Sequence, residues 1–469
     1  MADPRRRRRR PGGQPPAPKT RVDAARLAAY EVCRAVRVDD AYTNLVLPHV
    51  LRRHGLSGRD AGFATELAAG SLRRRGTYDT ILTACIDRPL AKVEVKVLDV
   101  LRLGAHQLLS MRVPPHAALS ATVDLARSVA GPGAAGFVNA VLRRVSEADL
   151  GTWVRRVAPD PGADPLGFAA VAHSHPRWVV EALSSALVAT GAGDELDALL
   201  AADNEPPRVV LVARPGRAEV SELPGEATRW SPYGVVLESG DPSSVPAVAE
   251  GRAGVQDEGS QLVALALSRA GVDGTDERWL DLCAGPGGKA ALLAGLAAGA
   301  GARLVANERQ EHRAGLVRRA LAGAEGVDGV VVADGMAPPW APASFDRILV
   351  DAPCTGLGAL RRRPESRWRR VPADVDALAP LQRGLLSSAL DSVRPGGVVV
   401  YATCSPVLAE TRDVVSDVLA TRSDAVLEDA SSLWPDLPSC AGPLLGTLQL
   451  WPHRHATDAM FVALLRRTR

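Results

Sequence analysis

Two cysteines fifty residues apart carry the clearest chemical signal in the sequence: Cys354 in "VDAPCTGLG" and Cys404 in "YATCS". Each follows an apolar run with the composition of a strand, "FDRILV" and "GGVVV". Both thiols should therefore stand just beyond strand carboxyl ends, where open α/β sheets bind ligands. Cysteine is ordinarily a small buried hydrophobe, but these two lie past the apolar stretch, beside Pro353 and Ser405. Carbon 5 of cytosine is a poor nucleophile. A thiolate adding to carbon 6 turns the ring into an enamine whose carbon 5 can attack a methyl donor. Asp351, three residues before Cys354, could assist by protonating or hydrogen-bonding ring nitrogen 3. The carbon-5 proton must then leave and the carbon–sulfur bond must break, a step that suits a second thiol. "CSP" also reads as a helix start, with Ser405 as N-cap and Pro406 in the first turn, which would favour a Cys404 thiolate.

A methyl donor needs its own site. "WLDLCAGPGGKAALL" reads as strand, glycine-rich turn and helix. Its turn comprises Cys283, Ala284, Gly285, Pro286, Gly287, Gly288 and Lys289. The glycines admit close approach of a ligand to the backbone, and the helix points its N–H groups at it. The turn is neither GxGxxG nor a P-loop ending in GK[ST], which disfavours a dinucleotide or a nucleoside triphosphate. Glu308 ends "RLVANE" about 20 residues on, where a carboxylate accepts ribose hydroxyls. Asp334 ends "GVVVAD", where it can meet an adenine ring. Three such strand ends in succession point to a nucleoside ligand, most economically S-adenosylmethionine. Lys289 is one of only four lysines against fifty-two arginines, and a compact ammonium in the loop fits that site.

Behind Cys354 come Arg361, Arg362, Arg363, Arg367, Arg369 and Arg370, with Trp368 among them. These flank the expected crevice, so the arginines could grip phosphates while Trp368 stacks on a base. A target base inside a duplex would have to be flipped or already unpaired.

The elements that must hold these residues follow from pattern. With 469 residues, several domains are expected. Residues 1–20 form an arginine-rich tail expected to be disordered. Residues 1–21 carry a net charge of +7 in a chain of net +3, so the remainder is acidic overall and any nucleic-acid surface must be a local patch. Residues 21–150 show helical apolar spacing, as in Val97, Leu98, Leu101, Ala105 and Leu108, and read as an all-α unit with Cys33 and Cys85 in its core. Residues 151–274 read as a small α+β connecting subdomain with a strand at Arg208–Ala213. From 275 to 469, candidate strands at Trp279–Leu282, Arg303–Ala306, Gly329–Val332, Phe345–Val350 and Val398–Tyr401 alternate with helices. That alternation implies a parallel, Rossmann-like sheet with helices on both faces. Six cysteines without a CxxC pair speak against a disulfide scaffold or zinc ribbon, and reduced thiols in a cytoplasmic protein are expected. The longest small-apolar run, residues 290–302, is too short to span a membrane. His453 and His455 lack further ligands nearby, so no metal is expected and both should lie at the surface.

Taken together, "DLCAGPGGK", "VVADG", "VDAPCTGLGALRRRPE" and "YATCS" resemble the bacterial RsmB (Sun, Fmu) group of RNA cytosine-5 methyltransferases. "FVNAVLRRV" resembles part of the NusB-like RNA-binding domain of that group, and "VQDEGSQLVA" its connecting region. The resemblance spans nearly everything after residue 20. It implies an all-α NusB-like N-terminal domain and a C-terminal S-adenosylmethionine-dependent methyltransferase domain. It further implies Cys404 as nucleophile, Cys354 as the group aiding product release, and a cofactor site lined by residues 283–289, Glu308, Asp334 and Asp351. The implied substrate is a cytosine in small-subunit (16S) ribosomal RNA, and a monomer is expected. Gly285 and Ala290 depart from the usual CAAPGGKT loop, Glu308 replaces a common Asp, Thr411 a usual Asn and Ala459 a usual Gly. These changes bear on affinity more than on activity.

Two other readings compete. The first is a non-catalytic RNA-binding assembly factor, against which the intact cysteine pair and Asp351 argue. The second is a DNA cytosine-5 methyltransferase, whose Pro-Cys thiol attacks; that would make Cys354 the nucleophile, and spacing alone does not rank the two sulfurs.

Overall fold

The computed structural model describes residues 22–469, and the expected arginine-rich tail lies outside the described residues. Seven helices occupy Ala24–Val38, Thr43–Arg53, Gly58–Arg73, Arg75–Cys85, Val95–Leu109, Pro115–Ala130 and Pro132–Val145. Their shared core is aliphatic, with Val32, Leu67, Ile81, Leu101, Leu125 and Leu142 buried, and Cys33 and Cys85 belong to it. Gly131, at φ +91°, supplies the reversal between the last two helices, and Pro132 opens the next one. Helices continue beyond residue 150 as far as Ala202. A four-stranded antiparallel sheet follows: β1 (Val210–Ala213), β2 (Glu226–Ala227), β3 (Gly234–Val236) and β4 (Ala253–Val255), in the order β2-β3-β1-β4.

The C-terminal sheet contains β5 (Arg278–Asp281), β6 (Arg303–Asn307), β7 (Val327–Val331), β8 (Phe345–Asp351), β9 (Val393–Thr403), β10 (Ala425–Glu428), β11 (Leu448–Gln449) and β12 (Phe461–Arg467). The order is β10-β12-β9-β8-β5-β6-β7, with β11 beside β12. Strands β5 to β9 are mutually parallel, as the alternation implied. The rest corrects the all-parallel expectation: β12 runs antiparallel between β9 and β10. Phe461 at the start of β12 pairs with Thr403 at the end of β9. The chain thus enters β12 from the sheet's carboxyl edge and can only run back down. Because β8 and β9 lie inside the sheet, their apolar runs are continuous, and Ile348, Leu349, Val350, Val399 and Val400 are buried.

The arginine-rich segment after Cys354 is mostly a strap between the domains. Arg367 is fully buried. Its guanidinium donates to the Ser174 carbonyl (3.2 Å), Asn204 Oδ1 (2.9 Å) and the Asp203 carbonyl (3.0 Å). Trp368 donates through Nε1 to the Leu72 carbonyl at 3.1 Å, and its ring lies so close to Gly76 that a Cβ there would stand 2.3 Å away. Arg369 donates to the carbonyls of Val36 and Ala41. Glu365, also buried, accepts from Thr43 N (3.2 Å) and Thr43 Oγ1 (2.7 Å). Arg361 donates to the Ala456 carbonyl at 3.0 Å, and Arg362 is paired with Asp257 and Asp458.

These contacts correct the expectation of an RNA grip at Arg361, Arg362, Arg367 and Trp368. Each of these side chains donates to an oxygen within the chain, Arg367 is fully buried, and the indole rests against a helix. Only Arg363 is exposed. The histidines also differ from expectation: His455 is buried with Nδ1 accepting from Trp451 N, and His453 meets Glu195. Among the described residues, no helix is long and apolar enough to cross a membrane.

Removing the buried guanidinium strands the carbonyls of Ser174 and Asp203 and the side-chain oxygen of Asn204 at the domain junction. Arg367→Ala is therefore expected to lower folding stability by about 3–5 kcal/mol. Urea denaturation of the full chain checks this, and Arg363→Ala serves as the exposed comparison with a change within about 0.5 kcal/mol.

Candidate active site

Parallel register brings the carboxyl ends of the central strands into line, since Asp281 pairs with Leu349 across β5 and β8, and Asp351 with Ala402 across β8 and β9. The loops leaving these ends carry the chemistry. After β5 the chain makes the glycine turn and enters the helix Gly288–Gly299. Gly287 sits at φ +112°, and a Cβ there would stand 2.6 Å from Ala320 Cβ. A Cβ on Gly285 would stand 2.1 Å from Glu308 Oε2. Glycine at both positions is what lets the turn close onto the next strand end. The departure at Gly285 goes with Glu308, whose longer side chain fills the space a Cβ would take.

Glu308 is buried and accepts from Gly285 N (3.1 Å) and Gln310 N (2.9 Å). Each oxygen keeps further acceptor capacity. Asp334 is half-exposed after β7, accepting from Met336 N at 3.0 Å. Two residues that sequence reasoning passed over complete this cradle. Asn307 donates to the carbonyls of Leu282 (2.9 Å) and Ala333 (3.3 Å), tying three strand ends together. Asp281, the last residue of β5, is buried with neither carboxylate oxygen in hydrogen-bond contact. Burial, reinforced by the Asp351 carboxylate, pushes its pKa up to about 7. An acid closing an otherwise apolar strand was the available signal. An orphaned carboxylate, a glycine turn and a buried Glu308 make a site suited to a polar ligand bearing hydroxyls and a cation.

The thiols face each other. Cys354 Sγ and Cys404 Sγ are 3.5 Å apart, and neither residue is fully buried. Lys289 reaches across from the glycine turn and donates to Asp351 Oδ2 at 2.8 Å. Burial alone would lower the Lys289 pKa, but the adjacent Asp351 carboxylate raises it, so the ammonium persists. The hydrogen bond from Cys354, helped by Lys289 and Arg363, holds Cys404 below the usual thiol range against burial and Asp351. The same bond, with burial and the carboxylates of Glu410 and Asp351, pushes Cys354 well above it. Loss of solvent and the nearby carboxylates of Asp281, Asp351 and Glu308 raise Cys283 too.

The expected helix N-terminus at Cys404 is absent. A short 3-10 turn at Leu408–Glu410 precedes the helix Arg412–Thr421. The Ser405 hydroxyl accepts from Val407 N at 3.4 Å and donates to Glu410 Oε2 at 2.6 Å, but no helix begins there. Glu410, fully buried, also accepts from Thr355 N (2.7 Å), Thr355 Oγ1 (2.5 Å) and Gln382 Nε2 (3.1 Å). One carboxylate thus ties the loop of Cys354 to the loop of Cys404.

The chain's relatives fit this arrangement. The family model described as 16S rRNA methyltransferase RsmB/F matches residues 272–466, and the NusB family model matches residues 23–147. A Bacillus subtilis relative named "Probable ribosomal RNA small subunit methyltransferase B" is 30% identical over 461 residues, covering 94% of this chain and 98% of its own length. The chain belongs to the RsmB/F methyltransferase family. Ribosomal RNA small subunit methyltransferase B of Pseudomonas putida is 33% identical over 407 residues, covering 84% of this chain and 88% of its own. A Mycobacterium tuberculosis protein named only as a methyltransferase is 52% identical over 455 residues, covering 95% and 97%. Among solved structures, PH0851 superposes with a TM-score of 0.78 at 22% identity, over 95% of this chain and 99% of its own. That likeness supports the same architecture, an all-α NusB domain followed by the mixed-sheet RsmB/F domain.

The buried Asp281 has a consequence for stability. Its folded pKa is raised above the ordinary value of about 4, so the native state holds a proton there that the unfolded chain releases. Native stability therefore falls as the pH rises from about 4 to about 7 and levels off above it. Asp281→Asn is expected to stabilise the ligand-free protein by about 1–3 kcal/mol at pH 8 and to have little effect near pH 4. Urea midpoints measured at both pH values check it.

Proposed function

We propose that this RsmB/F methyltransferase transfers a methyl group from S-adenosylmethionine to carbon 5 of a cytosine in small-subunit ribosomal RNA, through a covalent bond between Cys404 and the ring. The observation that carries the reading is the thiol pair, 3.5 Å apart beyond neighbouring parallel strands, with Cys404 biased toward thiolate and Cys354 toward thiol. The names of the Pseudomonas putida and Bacillus subtilis relatives support ribosomal RNA as the substrate.

The cofactor would be held by the glycine turn, with the ribose hydroxyls at Glu308, the adenine toward Asp334 and the α-ammonium at the unpartnered Asp281. S-adenosylmethionine supplies an electrophilic methyl group on a sulfonium sulfur. In the protein's part of the reaction, the Cys404 thiolate forms a bond to ring carbon 6, and the displaced electron pair makes carbon 5 nucleophilic. Lys289 occupies Asp351 Oδ2, which leaves the other oxygen to hold, against ring nitrogen 3, a proton that comes from solvent as Cys404 adds. After methylation, water takes the carbon-5 proton, the electron pair left behind restores the 5,6 double bond, the proton at ring nitrogen 3 returns to solvent, and the carbon–sulfur bond breaks with Cys404 departing as thiolate. Cys354, held as the neutral thiol, offers its hydrogen bond to that departing sulfur and stabilises it. The charge directions favour this division of roles over the reverse one weighed from sequence.

An adduct trap tests it. Cys354→Ala is expected to accumulate a denaturation-resistant protein–RNA complex on a gel while Cys404→Ala forms none, with turnover lowered at least about 10²-fold in both. Accumulation only in Cys404→Ala would reverse the roles. No complex in either variant, together with no methyl transfer by the wild type, would leave an RNA-binding factor.

A further inference from the structure

Arg363 differs from its five neighbours in the arginine-rich segment. Its side chain is exposed, and among the described residues it makes no ion pair. Its guanidinium instead lies over the ring of Tyr42, 4.9 Å from the centroid, and Arg369 lies 5.2 Å from the same ring. Tyr42 precedes the helix Thr43–Arg53 of the helical domain, and the neighbouring Thr43 is fixed to Glu365 by two hydrogen bonds. On the catalytic side, Arg363 N donates to the Ala359 carbonyl at 3.0 Å. The same turn is pinned to the nucleophile's loop by Gly358 N donating to the Cys404 carbonyl at 2.8 Å. An exposed cation is therefore held in place by both domains beside the catalytic cleft, close enough to act on the Cys404 thiol.

Stacking matters for what this cation can bind. A free arginine loses rotamer entropy when it grips a ligand, whereas one already laid on an aromatic ring has less to lose. The stacked face leaves the planar edge of N–H donors open, and that fork matches two oxygens of a phosphate. We infer that Arg363, braced on Tyr42, grips a backbone phosphate of the RNA strand whose target cytosine enters the cleft, so that the helical domain forms part of the substrate mouth. This rests on the RNA methyltransferase reading above.

The test is equilibrium binding of the full chain to transcribed small-subunit ribosomal RNA across salt concentrations from about 50 to 200 mM. Arg363→Ala is expected to weaken binding roughly 3–10-fold at the low end and to reduce the slope of log affinity against log salt by about 0.7, the share of one single-strand phosphate. Arg363→Lys should keep the slope while losing part of the affinity, and Tyr42→Ala should lose affinity where Tyr42→Phe does not. Wild-type affinity and slope in Arg363→Ala would overturn the inference and leave the methyltransferase reading standing. So would an effect confined to an upward shift of the turnover pH profile, since Arg363 would then act only on Cys404. Absence of RNA binding by the wild type would overturn both.

Discussion

A carboxylate taken out of water must find donors nearby, and Glu410 finds them on both thiol-bearing loops. Thr355 gives it a backbone N–H and a hydroxyl, and Ser405 gives it a second hydroxyl. Each of these bonds is charge-assisted and buried, where such contacts are strongest and their loss most costly. The parallel register of β8 and β9 sets the loops side by side, but register alone leaves them free to swing. Glu410 fixes their separation, and with it the contact between the sulfurs. The hydrogen bond between the sulfurs then distinguishes two otherwise similar thiols, with Lys289 and Arg363 favouring charge on Cys404 against Asp351, and Glu410 and Asp351 opposing it on Cys354.

The same loop reaches in the other direction as well. From Cys354 the chain runs through Arg362 to Arg370, and most of those side chains end on carbonyls of the helical half or on acids of the catalytic half. Arg370 Nε donates to the Thr355 carbonyl at 3.0 Å, so the strap returns to the residue that Glu410 holds. The NusB domain is thereby joined to the catalytic loop by buried polar contacts as well as by apolar packing. An arrangement of this kind suits an enzyme whose substrate is far larger than its active site, because docking and chemistry must keep a fixed distance.

Much of this was legible from residue order. The five parallel strands and the helical first half follow from periodicity, and the glycine turn, Glu308, Asp334 and both cysteines stand at strand ends as their spacing implied. The strand β12 was harder to see, because a continuous apolar run does not state its direction. The arginine segment misled for a related reason. Six arginines and a tryptophan within ten residues look like a surface, yet Arg367 is buried because acceptors 163 to 193 residues earlier in the chain converge on it. Asp281 is harder to read because an acid at the end of an apolar strand is a weak signal until its burial and lack of partners are seen. Sequence reports which groups are present; which donors are already satisfied is a property of the fold.

The central claim is that Cys404, not Cys354, bonds to the target ring. Its most direct test uses the unaltered protein with small-subunit ribosomal RNA carrying 5-fluorocytosine, whose carbon 5 cannot release a proton and so arrests the adduct. Digestion and mass spectrometry then locate the sulfur. The account predicts the nucleotide on the peptide containing Cys404. Its recovery on the peptide containing Cys354 would contradict the account.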